Sequence, residues 1–318
     1  MAGGAIMNKQ ISMVAQVKEY IAYKRQIGVQ LHTEAWQLLR FAKYADKSGH
    51  KGPVTIELAL KWACLPQKAS QPYQAFRVGI VRRFAKYQVA FSEGTEIPPS
   101  LILGAGYHRT EPYIYSQQQI STLLEACTQL TPVDGLRPLT YATLFGLLAC
   151  TGLRVSEALM LSRDDVDLTN GIMLIAKTKF RKSRLVPIDT SVSKVLSKYA
   201  KFRDHYHPAT KSNRFFLSEK GTLLSYSTVA HTFIKLREKI GWCKGQRQPR
   251  IHDLRHTFAC QRLLLWYEQG VDVNHAIYSL STYLGHVRVS DTYWYLTGIP
   301  ELFAIAVNKF EKFASRME

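Results

Sequence analysis

Cysteine is scarce and scattered: the five residues stand at positions 64, 127, 150, 243 and 260, and no two form a C-x-x-C pair. An odd, dispersed set excludes both a disulfide framework and a zinc knuckle, and a reducing cytoplasm suits it. The N-terminus lacks the basic, apolar, small-residue order of a signal peptide. The apolar stretch from Tyr141 to Cys150 falls short of the roughly 20 residues that span a bilayer. A soluble cytoplasmic protein with no membrane partner is therefore expected. Acidic residues are also few, 24 Asp and Glu against 42 Lys and Arg, which gives a formal charge of +18 and a pI near 9.7. Apolar residues are not short: 46% of the 318 residues are hydrophobic, enough for a packed core instead of disorder.

Two patterns resemble cofactor sites only in part. Gly171 to Thr178 reads G-I-M-L-I-A-K-T, but its middle is an apolar strand where a phosphate-cradling loop is rich in glycine. His252 and His256 have the i, i+4 spacing of zinc ligands, yet Asp253 replaces the usual glutamate and Arg255 between them would repel a cation. Neither a cofactor nor a metal is expected. The positive charge instead points to a polyanionic partner, with a merely solvated basic surface as the other explanation. Residues 1–110 hold 15 basic and 6 acidic side chains and residues 111–318 hold 27 and 18, so each part carries +9. Two basic halves, with no basic tail, suit a protein that holds its partner from two sides.

Apolar residues recur at helical spacing through Val14 to Ile27, Ala35 to Ala45, Ile56 to Ala63 and Tyr73 to Phe91. At about 100° per residue, Val78, Ile80, Val81, Phe84, Ala85 and Tyr87 share one face of the last helix. Arg82, Arg83 and Lys86 share the other, without acidic i, i+4 partners; they are candidate phosphate contacts or a solvated face. Glu96 to Pro112 holds three prolines and two glycines and reads as a linker. Beyond it, Ser116 to Leu161 is again helical. Asp165 to Leu168, Gly171 to Ala176 and Arg184 to Ile188 then form short β-type runs, separated by turn residues and by a basic turn from Lys177 to Ser183. They predict a small antiparallel sheet. From Ser225 the pattern returns to helix, which makes the chain mainly α with one small sheet.

Four segments carry phosphate-competent residues at element ends: Thr151-Gly152-Leu153-Arg154-Val155-Ser156-Glu157, the basic hairpin around Lys179, His252-Asp253-Leu254-Arg255-His256, and Leu284-Gly285-His286 with Tyr295 nine residues on. In this order they resemble the tyrosine recombinase (phage integrase) family, through essentially all of residues 110–300. The resemblance implies a helical core-binding domain at 1–97, a linker at 98–112 and an α+β catalytic domain at 113–318 that ends in a C-terminal helix. It also implies a site-specific DNA recombinase that works without ATP or metal on double-stranded DNA at the nucleoid, as a homotetramer on paired sites.

The same resemblance assigns the roles. Arg154 and Arg255 would neutralise the scissile phosphate, which the planar, always-charged fork of arginine suits. Tyr295 would be the nucleophile, forming a 3′-phosphotyrosyl bond, with Tyr283 and Tyr293 as competitors assigned instead to packing. The hairpin Lys179-Phe180-Arg181-Lys182-Ser183-Arg184-Leu185-Val186-Pro187 is similar to a K-x-x-K-x-R-hydrophobic-V-P pattern, making Lys179 the proton donor to the leaving 5′-oxygen, ahead of Lys177 and Lys182. Arg181 and Lys182 join Arg82, Arg83 and Lys86 as DNA contacts. His252 would accept the phenol's proton, His286 would bond the phosphate, and Glu157 would orient arginine and histidine partners, while His256 packs or supports. Ile299 to Phe313 resembles a helix docked into a neighbouring subunit, or else an ordinary intramolecular one. A type IB topoisomerase and an inactive DNA-binding regulator on the same fold are the alternative readings.

Overall fold

A computed structural model describes residues 12–106, 111–176, 183–242 and 248–297, and the chain divides after Thr110 into two compact units. The first consists of α1 (Met13–Gln26), α2 (His32–Lys47), α3 (Ile56–Cys64) and α4 (Gln71–Gln88). Ser12 Oγ caps α1 by accepting from the Ala15 N–H, and Asp46 reaches across from α2 to accept from the Met13 and Val14 N–H groups at 2.8 and 3.1 Å. Two otherwise unpaired donors at the helix start are thereby satisfied by a tertiary contact. The core joins Val17, Tyr20, Leu38, Phe41, Trp62, Ile80, Val81 and Phe84, so the apolar face expected of α4 is the buried one.

The cationic face of α4 is less free than its sequence suggested. Arg82 donates to the Pro98 carbonyl, and Arg83 stands 3.8 Å from Glu34 of α2, a partner distant in sequence that i, i+4 spacing cannot show. Lys86 is exposed. Arg77, on the same helix, is buried: it donates to the Trp62 carbonyl at 2.6 Å and lies 3.8 Å above the Trp62 ring. Part of the expected linker is also anchored. Pro98 receives Arg82, and Leu103, whose carbonyl accepts from Gln71, packs on this core.

The second unit runs α5 (Gln117–Thr128), α6 (Leu136–Thr151), α7 (Val155–Met160), β1 (Val166–Asp167), β2 (Ile172–Ile175), β3 (Arg184–Pro187), α8 (Thr190–Tyr206), α9 (Tyr226–Ile240), α10 (Ile251–Glu268), α11 (Val273–Leu284) and α12 (Ser290–Thr297). The strands form one antiparallel sheet in order β1-β2-β3, with Met173 opposite Val186 and Ile175 opposite Arg184. This is the sheet that the short β-branched runs predict. Helix α8, which drew no expectation, hides Ser193, Leu196, Tyr199 and Arg203. Its Tyr199 hydroxyl accepts from the Leu217 N–H at 3.0 Å and from Thr140 of α6 at 3.3 Å. The core centres on α6 through Leu136, Tyr141, Leu144, Phe145 and Leu148. No helix among the described residues is long and apolar enough to cross a membrane.

Helix α6 ends on Gly152 at φ +62°, in the left-handed region that glycine enters without penalty. A Cβ there would lie 2.5 Å from the Phe258 ring of α10. Gly152→Ala is expected to destabilise by about 1–3 kcal/mol, lowering the thermal midpoint by about 3–10 °C, as differential scanning fluorimetry would show.

Candidate active site

Within the second unit, the ends of four helices and one strand meet. The turn at Gly152 delivers Arg154 as the residue that opens α7, and Glu157 one turn later folds back. It accepts from the Arg154 backbone N–H at 3.0 Å and from Arg154 Nη1 at 2.7 Å. Arg184 of β3 approaches the same carboxylate with both terminal nitrogens, 3.1 Å from Oε1 and 2.9 Å from Oε2. The expected partners of Glu157 were arginine and histidine; the structure gives two arginines. Burial alone would raise the Glu157 pKa. The hydrogen bonds from Arg184 and from the Arg154 backbone, with both guanidinium charges, overcome that and hold it at about 2.

Helix α10 starts under a cap in which buried Asp253 accepts from the Arg250 backbone N–H at 2.8 Å and from its guanidinium. This fixes Arg255 one turn in. Its side chain donates to the Gly152 carbonyl at 2.7 Å and the Leu284 carbonyl at 2.6 Å, the negative ends of α6 and α11. Burial and the nearby Arg154 charge both lower its affinity for its proton. Helix α11 ends on Gly285 at φ +68°, whose carbonyl accepts from Arg154 Nη2 at 3.1 Å. His286 follows, its Nδ1 2.7 Å from Thr292 Oγ1 of α12.

Tyr295, on α12, is 3% exposed and packs among Ala259, Cys260, Leu263, Leu280 and Leu284. Its hydroxyl lies 3.1 Å from Nδ1 of His256, and its ring stacks near that of His286, with centroids 6.2 Å apart. The residue expected only to pack or support is thus the phenol's neighbour. His252, one turn earlier on α10, stands edge-to-face against His256 at 4.7 Å. One helical turn explains the exchange of places: both rings share a face, and the later one lies nearer α12. Burial, then His252 and Arg250, depress the His256 pKa to about 3, so its imidazole is neutral and can share a hydrogen bond with the phenol. Burial and Arg255 also push His252 down, though this ring keeps an exposed edge.

The competing tyrosines stand elsewhere. Tyr283 stacks on Phe258, and burial pushes its phenol up to about 12, while Tyr293 points outward at 37% exposure. Lys179, Arg181 and Lys182 lie outside the described residues, as does the segment 299–313. Among the described residues no group of three or more His, Cys, Asp or Glu could hold a metal ion. Arg184 and His256 are the residues whose place sequence reasoning missed. Both stood inside quoted motifs, but nothing in their spacing shows what they touch.

The fold has clear relatives among solved structures. The XerH site-specific recombinase, bound to a palindromic difH substrate, superposes with a TM-score of 0.66 at 19% identity, covering 95% of this chain and 86% of its own. The Tn1549 transposon integrase, in complex with transposon right end DNA, gives 0.67 at 16%, covering 96% and 100%. These likenesses show the fold. By sequence, a putative integrase/recombinase of Sinorhizobium fredii, y4rB, is 41% identical over 304 residues, 93% of this chain and 96% of that one. The tyrosine recombinase XerC of Chlamydia caviae is 26% identical over 216 residues, 68% and 64% of the two chains. The phage integrase family model matches residues 114–298. The chain belongs to the phage integrase family and is an enzyme of the tyrosine recombinase type.

The depressed His256 pKa gives stability a signed dependence on pH. The unfolded chain takes up this proton below about pH 6.5, whereas the folded chain resists until about pH 3. The stabilisation is complete above 6.5 and is lost as pH falls toward 3, at up to about 1.4 kcal/mol per pH unit. Urea unfolding between pH 7 and 4.5 is expected to show a shallower loss for His256→Gln than for the wild type.

Proposed function

We propose that this enzyme cuts and rejoins double-stranded DNA at specific sites with Tyr295 as nucleophile. The observation that carries the reading is the Tyr295 hydroxyl, 3.1 Å from a neutral His256 nitrogen, on helices that also deliver Arg255 and the Gly285-His286 turn. The phenol oxygen attacks phosphorus while its proton passes to the neutral histidines, His256 or His252. Arg154 and Arg255 neutralise the non-bridging oxygens, and His286 bonds the phosphate. The phosphorus–O5′ bond breaks, and Lys179 protonates the departing oxygen. A 3′-phosphotyrosyl bond and a free 5′-hydroxyl result. Attack by the 5′-hydroxyl of another strand reverses the step and releases the tyrosine, so joining needs no ATP.

The first unit, spanning the proposed 1–97 domain, contacts DNA backbone through Lys86, Arg83 and Arg82, and the hairpin residues Arg181 and Lys182 add to this. Residues 98–112 connect it to the catalytic 113–318. Four copies act on two paired sites in the cytoplasm, where the DNA lies, and Ile299 to Phe313 either docks into a neighbouring subunit or stays within its own. The relatives solved with a difH substrate and with transposon end DNA support the choice of partner.

A duplex nicked beside the cleaved phosphate, drawn from sequences that flank the gene, traps the covalent intermediate. The wild type is expected to form the adduct and Tyr295→Phe to form none; an adduct that persists in the variant would move the nucleophile elsewhere. In gel shifts across a salt series, replacing Arg82, Arg83 and Lys86 by alanine should flatten the slope of log affinity on log salt by about 0.9 for each phosphate no longer neutralised. Arg154→Ala should abolish the adduct and leave most of the binding.

A further inference from the structure

Arg184 has no part in the steps above, although it lies inside the site. Its side chain is 10% exposed, and all three guanidinium nitrogens are engaged by protein. Nη1 and Nη2 hold the two Glu157 oxygens at 3.1 and 2.9 Å, and Nε donates to the Tyr283 carbonyl at 2.7 Å. The Gly285 turn rests on the same group, since a Cβ at Gly285 would stand 2.7 Å from Arg184 Nη1. So seated, Arg184 commits three of its five N–H groups to protein, including the paired edge that would grip a phosphate.

Its effect falls on Arg154. With Arg184 present, each Glu157 oxygen already accepts from that fork. Arg154 adds one guanidinium contact at 2.7 Å, turns its other terminal nitrogen to the Gly285 carbonyl at 3.1 Å, and stays 30% exposed. The cluster of two guanidinium groups and one carboxylate keeps a net charge of +1. Without Arg184, Glu157 and Arg154 form a neutral pair, and the vacated carboxylate lone pairs favour the two-pronged grip that an arginine fork makes most strongly. Arg154 would then be drawn onto Glu157 and away from the solvent side.

We propose that Arg184 is a positioning residue: by saturating Glu157 it keeps the Arg154 guanidinium and its charge available to the scissile phosphate. This rests on the reading of Arg154 as a phosphate-binding group, and the wild-type adduct and its loss in Tyr295→Phe are scored first, so that failure of that reading is seen separately.

The test compares the nicked duplex that the wild type cleaves in two forms, with a phosphodiester or with a methylphosphonate at the cleavage position. The methylphosphonate replaces one charged oxygen by methyl and removes the charge that Arg154 would neutralise. Arg184→Met is expected to slow adduct formation on the phosphodiester by about 10- to 100-fold, as loss of a group that orients a site residue does, and on the methylphosphonate by about a tenth of that factor. Misfolding lowers both rates alike, so the ratio within one sample carries the answer. Arg184→Lys, which keeps the charge without the fork, should show the same selectivity at smaller amplitude and stands in should Arg184→Met not fold. Equal losses on the two substrates, or no loss on the phosphodiester, would overturn the proposal.

Discussion

Gathering cations at one point of a fold is unfavourable without a counter-charge, and Glu157 is where that repulsion is offset in this protein. It is a buried carboxylate with both oxygens engaged. Arg154 reaches it from the start of the same helix, and Arg184 from β3, 27 residues further along the chain. A lone carboxylate taken out of water would be strongly penalised, and so would either arginine. Together they satisfy one another and leave positive charge over. That remainder is what the site offers to an anion.

The second constraint is set by helix ends. Helices α6 and α11 both stop on a left-handed glycine, and both turn their last carbonyls toward Arg255. A buried guanidinium is stable there because two helix dipoles present their negative ends to it. The same two turns release Arg154 and His286 into the site. Backbone termination and placement of the polar groups are therefore one event, and a change at either glycine acts on both.

Much of this was legible in the sequence. The helices of the first unit, the three strands and the buried face of α4 follow from apolar spacing, because there the core is made of side chains whose pattern is visible without knowledge of the fold. Helix α8 was silent because its buried face mixes Ser193 and Arg203 with Leu196 and Tyr199, so hydrophobic periodicity is diluted. The motif arginines, histidines and Tyr295 could be named, but not their neighbours. Whether Tyr295 meets His252 or His256 depends on how α12 lies against α10. The Arg83–Glu34 pair and the Arg77–Trp62 contact join separate helices, and local sequence holds no sign of either.

The burial of Tyr295 has a consequence for selectivity. Its hydroxyl lies 3.1 Å from the His256 ring and its own ring sits among aliphatic side chains, so reaching the hydroxyl requires this packing to open. Uncovering an aromatic ring of this size costs about 1.5–3 kcal/mol, which lowers the population of the exposed side chain roughly 10- to 100-fold. A partner held through many contacts can supply that free energy, whereas one that touches briefly cannot. Access to Tyr295 is thus governed by an apolar pocket as well as by the polar groups beside it.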